Sequence, residues 1–143
     1  MNGGEIGYAD SAIEREVYMK TLLTPAAALL LAAAVATPAM AAGDATKGAA
    51  TFKVKCQLCH VVAPGAKGTM APNLSGVVGR KAGSTEFAMY SPQLKAYGKA
   101  WTPALIEKWL AGPTQLVPGA RMAINVPDAK ERADIVAYLA TLK

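Results

Sequence analysis

Cys56-Gln57-Leu58-Cys59-His60 is the stretch whose reading decides the fold. Two cysteines stand three apart and a histidine follows the second directly. This spelling is that of covalent c-type haem attachment. Each thiol can add across a haem vinyl group to give a thioether, which leaves the imidazole beneath the ring where it can bind iron. Two other readings compete. A redox disulfide wants a thioredoxin-like βαβ setting, and no strand pattern appears. A structural zinc site wants four ligands, and these two cysteines and one histidine are the whole Cys/His supply of the chain.

Upstream, the chain reads Met19-Lys20-Thr21, then an apolar run from Leu22 to Val35, then Thr37-Pro38-Ala39-Met40-Ala41. One basic residue, an apolar core, a helix-breaking proline and a small-x-small site make a secretory signal. A retained membrane anchor is the competing reading. Pro38 and the weakly apolar alanines argue against it, since a span needs about 20 strongly apolar residues. Residues 1–41 are therefore expected to be prefix plus cleavable signal, and residues 42–143 a single haem domain. The first eighteen residues carry Glu5, Asp10, Glu14 and Glu16 against Arg15 alone. Such an acidic prefix does not belong before a signal, so translation is expected to begin at Met19. Export sends the product to an oxidising compartment, the periplasm, where thioethers survive because they do not exchange.

Residues 42–143 hold ten lysines and three arginines against three aspartates and three glutamates, a balance of +7. Two haem propionates would lower this to about +5. A basic face suits an acidic protein partner. Nucleic acid is a poor reading for an exported chain without a binding motif. Lys55 and Lys67 are expected near the exposed haem edge, where they would steer docking.

Asp44 reads as an N-cap for a helix to about Cys56, with Gly48 and Phe52 on one face. After His60 comes a long run punctuated by Pro64, Gly65, Gly68, Pro72, Gly76, Gly79 and Gly83, which is loop chemistry. An irregular stretch of ~25 residues in a small domain signals a ligand to wrap. A short helix is expected over residues 92–97, ended by Gly98. Thr102 caps another, with Pro103 at its first position and Gly112 past its end; Leu105, Trp109 and Ile106 form its apolar stripe. Residues 113–127 read as loop. Asp128 and Glu131 form a capping box for the last helix, whose Ile135, Tyr138, Leu139 and Leu142 keep helical spacing. The fold is all-α with long loops. A domain near 100 residues has a thin core, and the haem would supply its apolar centre.

His60 is the sole histidine, so the sixth iron ligand is not a second imidazole. Met70, Met89 and Met122 are the candidates downstream. Met70 lies ten residues after His60, in the loop that must first round the ring edge. Met89, in Phe87-Ala88-Met89-Tyr90, reads as packing. Met122 closes Val117-Pro118-Gly119-Ala120-Arg121-Met122, a stiff turn between two helices. Methionine is more often core filler than ligand, and spacing leaves the choice open.

Gly48 and Phe52, CQLCH, Pro72-Asn73-Leu74, Gly79-Arg80-Lys81, Tyr90, Trp101, PGARM and Ala137-Tyr138-Leu139 together resemble the class I c-type cytochromes, mitochondrial cytochrome c and its bacterial periplasmic relatives. The resemblance covers residues 43–143. It implies four to five helices with long loops around one covalent haem c, held by Cys56 and Cys59, with His60 and Met122 as axial metal ligands. It further implies that the Pro72 carbonyl orients His60, and that Arg80, Tyr90 and Trp101 enclose the propionates. The first and last helices would cross where Gly48 and Phe52 meet Ile135 and Tyr138. Three positions depart from the mitochondrial pattern. Trp109 replaces a tyrosine thirteen residues before the methionine, Leu94 an asparagine and Ala120 a threonine. An indole donates a hydrogen bond but cannot accept one.

With both axial positions filled, no substrate binds, and the resemblance implies a single-electron carrier rather than an enzyme. Its implied partners are a quinol–cytochrome c reductase and a terminal oxidase or periplasmic dehydrogenase, met as a monomer. The alternatives are a membrane-anchored carrier that keeps its N-terminal segment, and a haem enzyme or gas sensor with an open sixth site. The latter would need a distal acid–base group, and the one histidine is already assigned. Replacing both cysteines, Cys56→Ala with Cys59→Ala, should abolish covalent haem and leave the chain largely unfolded. Circular dichroism of the apo variant checks this; native helix content without haem would show that the haem does not organise the fold.

Overall fold

The computed structural model describes residues 42–143. The expected start at Met19, the signal and the cleavage after Ala41 lie outside the described residues. Among those described, the chain forms five helices and one isolated antiparallel bridge, Lys81 to Ala100. The all-α reading stands. No helix among the described residues is long and apolar enough to cross a membrane.

Four of the five helices begin where a short polar side chain satisfies a free backbone N–H. The Asp44 carboxylate accepts from the N–H groups of Thr46 and Lys47 and opens α1, Ala45–Lys55. Ser91 caps α2, Pro92–Tyr97, which stops at Gly98 in the left-handed region with φ 57°. Thr102 caps α3, Pro103–Ala111. Residues 113–127 are not wholly loop, because Pro113–Leu116 forms a short α4. Proline suits a first helical position, where its missing N–H costs nothing, and the Gly112 carbonyl accepts from both Gln115 and Leu116. Asp128 caps α5, Ala129–Thr141, by accepting from the Glu131 N–H at 2.7 Å. Only this half of the expected capping box is made. The Glu131 carboxylate instead pairs with the Lys55 ammonium at the far end of α1.

The crossing of α1 and α5 holds the molecule together. A β-carbon at Gly48 would lie 1.9 Å from the Asp134 carbonyl oxygen and 2.9 Å from the Tyr138 β-carbon, so only glycine lets the two backbones come this close. One turn on, Phe52 is buried against Tyr138, their ring centroids 5.3 Å apart at 54°. Ile135 and Leu139 are buried beside it. The face that α3 buries is rotated from the expected stripe: Ile106, Trp109 and Leu110 are buried, while Leu105 is only partly covered. Arg132 ties α5 to α3 through Glu107 at 2.9 Å, and donates to the Val126 and Pro127 carbonyls as well.

Asp134 is a buried carboxylate at this crossing. It accepts from the Asp44 backbone N–H at 2.6 Å and from the Lys130 ammonium. The backbone bond from Asp44, then the Lys130 contact, hold its carboxyl below the usual carboxylate range against the opposing effect of burial. A carboxyl whose folded value is depressed stabilises the fold above the ordinary carboxylate value, and that stability is lost as pH falls through the folded value. Asp134→Asn should therefore lower the thermal midpoint of the haem-loaded protein at neutral pH. The gap to the wild type should close in acid, below the ordinary carboxylate range. A gap that is constant with pH would show that the charge on Asp134 contributes nothing.

Candidate haem site

The attachment stretch hangs from the end of α1. The Cys56 and Gln57 N–H groups both donate to the Phe52 carbonyl, and Cys59 and His60 both donate to the carbonyl of Cys56. This tight turn holds two thiols and an imidazole within one fold of the chain. Burial pushes the Cys56 thiol up, partly offset by the neighbouring Lys55 charge, so its ground state is a protonated thiol. His60 Nδ1 lies 2.8 Å from the Pro72 carbonyl oxygen. A carbonyl can only accept, so Nδ1 carries the proton and Nε2 keeps its lone pair. Burial lowers the His60 value, against the smaller opposing effect of the Pro72 bond. The imidazole is thus neutral and fit to bind a metal.

Asn73 staples the loop behind the attachment stretch by donating to the carbonyls of Ala63 and Ala66, each at 2.7 Å. Leu74 donates to Val61, which sets Pro72 beside the histidine. Arg80 closes the next turn, its two terminal nitrogens donating to the Asn73 and Ser75 carbonyls at 2.7 Å. A short antiparallel clamp then fixes Trp101 beside it, with Gly79 donating to Trp101 and Trp101 to Arg80.

All nine residues expected at the site, namely Cys56, Cys59, His60, Pro72, Arg80, Tyr90, Trp101, Trp109 and Met122, line a single cleft of about 360 Å³. Its walls are apolar, with Phe52, Leu94, Ile106, Leu110, Ile135 and Leu139 among them. Leu94, where the resemblance expects asparagine, is buried in this wall. Arg80 has no carboxylate partner among the described residues, and burial pulls its value down. A partly buried cation facing an apolar cleft fits a ligand that carries carboxylates, and the haem propionates meet that need. Tyr90 stands near it, its hydroxyl 2.8 Å from Thr85 Oγ1.

All three candidate methionines line the cleft, so proximity does not choose between them. Met70 is 62% exposed and Met89 47%. Met122 is partly buried against the core, and its Sδ lies 3.1 Å from Trp109 Nε1. An indole nitrogen only donates, so Trp109 gives its N–H to the sulfur. The turn before Met122 is closed by the Ala120 N–H on the Val117 carbonyl, with Gly119 at φ 87°. Beyond it, Val126 donates to Leu110 at 2.7 Å. Sequence reading missed the tie from Arg121 to the Met89 carbonyl, 3.3 Å, which joins the methionine turn to residues 87–90. A long basic side chain next to a ligand candidate carries no signal of its target. Of the two lysines expected near the haem edge, Lys55 lines the cleft with its charge engaged by Glu131, and Lys67 is not among the lining residues.

Thiols, a neutral imidazole and a sheltered thioether in one apolar cleft define a covalent haem centre of the electron-transferring kind. Comparison with known proteins agrees. The Cytochrome c family matches residues 45–143. Cytochrome c2 of Rhodomicrobium vannielii is 42% identical over 104 residues, which cover 72% of this chain and 82% of that protein. Cytochrome c2 of Rhodoblastus acidophilus is 39% identical over 103 residues, 71% of this chain and 95% of that protein. Cytochrome c of Theileria annulata is 41% identical over 98 residues, 68% of this chain and 84% of that protein. The chain belongs to the cytochrome c family. Its cofactor is a covalently bound haem c, and it is an electron-transfer protein rather than an enzyme.

Arg80→Met should preserve much of the side-chain volume while leaving the Asn73 and Ser75 carbonyls without their donor. Each lost partner costs about 1–3 kcal/mol where water cannot replace it. Denaturant unfolding of the haem-loaded variant should show a loss in that range or above. An unchanged midpoint would mean that water satisfies both carbonyls.

Proposed function

We infer that the chain is a periplasmic single-electron carrier in which Cys56 and Cys59 hold the haem and His60 and Met122 are its axial ligands. The observation that carries this reading is the bond from Trp109 to Met122 Sδ, which marks one methionine of three as fixed in the cleft. When bound, the haem supplies a reversible Fe(III)/Fe(II) couple, and thioether ligation favours the ferrous form. The protein's own work is to hold still. The Pro72 carbonyl fixes the His60 ring and its tautomer. The Val117–Ala120 turn and the Trp109 N–H fix the thioether. Leu94, Ile106 and Leu110 exclude water, which keeps the surroundings alike in both oxidation states. Arg80, Tyr90 and Trp101 receive the propionates.

The proposed partners are a quinol–cytochrome c reductase or a periplasmic dehydrogenase on the donor side and a terminal oxidase on the other, met transiently by a monomer. Export is by the signal from Met19 with cleavage after Ala41, leaving a chain of net +7 for docking on acidic surfaces.

Two substitutions test the ligand assignment together. Met122→Ala should keep the haem attached, lower the potential and let carbon monoxide bind the reduced protein. The same outcome from Met70→Ala or Met89→Ala instead would overturn the assignment. Trp109→Phe removes the N–H that draws electron density from the sulfur. The sulfur then donates more strongly to ferric iron, and the potential should fall by some tens of millivolts, which is less than about tenfold in the one-electron equilibrium. An unchanged potential in a redox titration would mean that the bond does not reach the iron.

A further inference from the structure

The three methionines that line the cleft differ in what holds their sulfur. Met122 is partly buried, and its Sδ accepts the Trp109 N–H at 3.1 Å. Met70 and Met89 line the same cleft but are exposed, which places them at its mouth. No donor among the described residues reaches either of their sulfurs. The bond from Arg121 to residue 89 ends on the backbone carbonyl and leaves the Met89 side chain free. Leucine would fill these open positions equally well. What methionine adds there is the chemistry of sulfur.

A thioether takes up oxygen through a lone pair on sulfur, and the sulfoxide formed is reducible back to the thioether. Each thioether has two such pairs. In Met122 the Trp109 N–H occupies one, and the iron, on the reading above, occupies the other. In Met70 and Met89 both pairs face solvent.

We propose that Met70 and Met89 are sacrificial oxidation sites that consume a hypohalous acid at the cleft mouth before it reaches Met122. The inference rests on Met122 holding the iron, as read above. In each event the sulfur loses two electrons and gains a sulfur–oxygen bond. The oxygen–halogen bond breaks, and the halogen leaves as halide with release of one proton. The class of oxidant follows from what interception requires. A surface residue stops only a reagent that is spent where it arrives. Hypohalous acids oxidise thioethers fast enough for that, whereas hydroperoxides react slowly and would visit Met122 many times before an outer sulfur consumed them. A polar sulfoxide at the mouth can face water and leave the packing intact. The same change at Met122 would remove the axial thioether.

The test doses the ferric haem-loaded protein with hypochlorous acid, up to two molecules per protein. Peptide mass spectrometry locates the added oxygen, and the ferric iron–sulfur charge-transfer band reports on Met122. Oxygen is expected on Met70 and Met89, with the band and the redox potential unchanged. The double variant Met70→Leu with Met89→Leu keeps side-chain volume and the backbone bond to Arg121. At the same dose it should oxidise Met122 several-fold more and lose the band in proportion. Oxygen first on Met122, or on the thioethers of Cys56 and Cys59, would overturn the proposal. So would equal Met122 oxidation in the wild type and the double variant. Hydrogen peroxide at equal dose should show no such difference between the two proteins, and a difference of the same size would overturn the assignment of oxidant. A charge-transfer band missing before any dose would count against Met122 as the ligand. A band present beside unoxidised Met70 and Met89 defeats the sacrificial role alone.

Discussion

The absence of a β-carbon at Gly48 governs the geometry of everything that follows it. With the α1 backbone seated directly on the Asp134 carbonyl of α5, Phe52 is brought one turn further along to the Tyr138 ring. One turn beyond that, the chain leaves α1 as the Cys56–His60 turn, already aimed at the cleft. A helix separation even one methyl wider would displace the thiols relative to the Met122 turn, which is anchored through α3 and α5 by Val126 and Arg132. The helix crossing and the haem site are therefore one construction. Interior packing transmits displacement because it has little slack.

The elements that could be read in the sequence were those with local chemistry. Asp44, Thr102 and Asp128 sit at helix starts because a short acceptor there satisfies backbone donors within three residues, and such a signal needs no knowledge of the fold. The attachment stretch was legible for the same reason. What escaped was set by distant partners. Glu131 turns away from its own cap because Lys55, 76 residues earlier, offers a charge. The buried face of α3 is rotated toward Leu110 because the cleft lies on that side, and helical spacing alone does not say where a cleft is. The short helix at Pro113 was hidden by its length, which is below what periodicity can resolve. The nine residues expected at the site line one cleft, but so do Met70 and Met89, and what distinguishes Met122 is a bond from Trp109 across 13 residues.

Trp109 stands where the resemblance expects tyrosine. A phenol both donates and accepts, so it can join a hydrogen-bonded network that reorganises with charge. The indole has one donor and spends it on Met122. Together with Leu94 in the wall, this leaves the methionine side of the cleft with little polar machinery. Reorganisation there is confined to small movements of packed groups, which suits a carrier that must change charge without changing shape.

The lock between Asp44 and Asp134 joins residues 90 positions apart. During synthesis, therefore, the first helix has nothing to dock on until nearly the entire chain has emerged. Non-local pairing of this kind delays completion of a fold. The two thiols lie at the end of the helix that this lock holds. Until the last helix docks, the far wall of the cleft is incomplete and both thiols are open, so the topology permits an order in time with cofactor first and enclosure second.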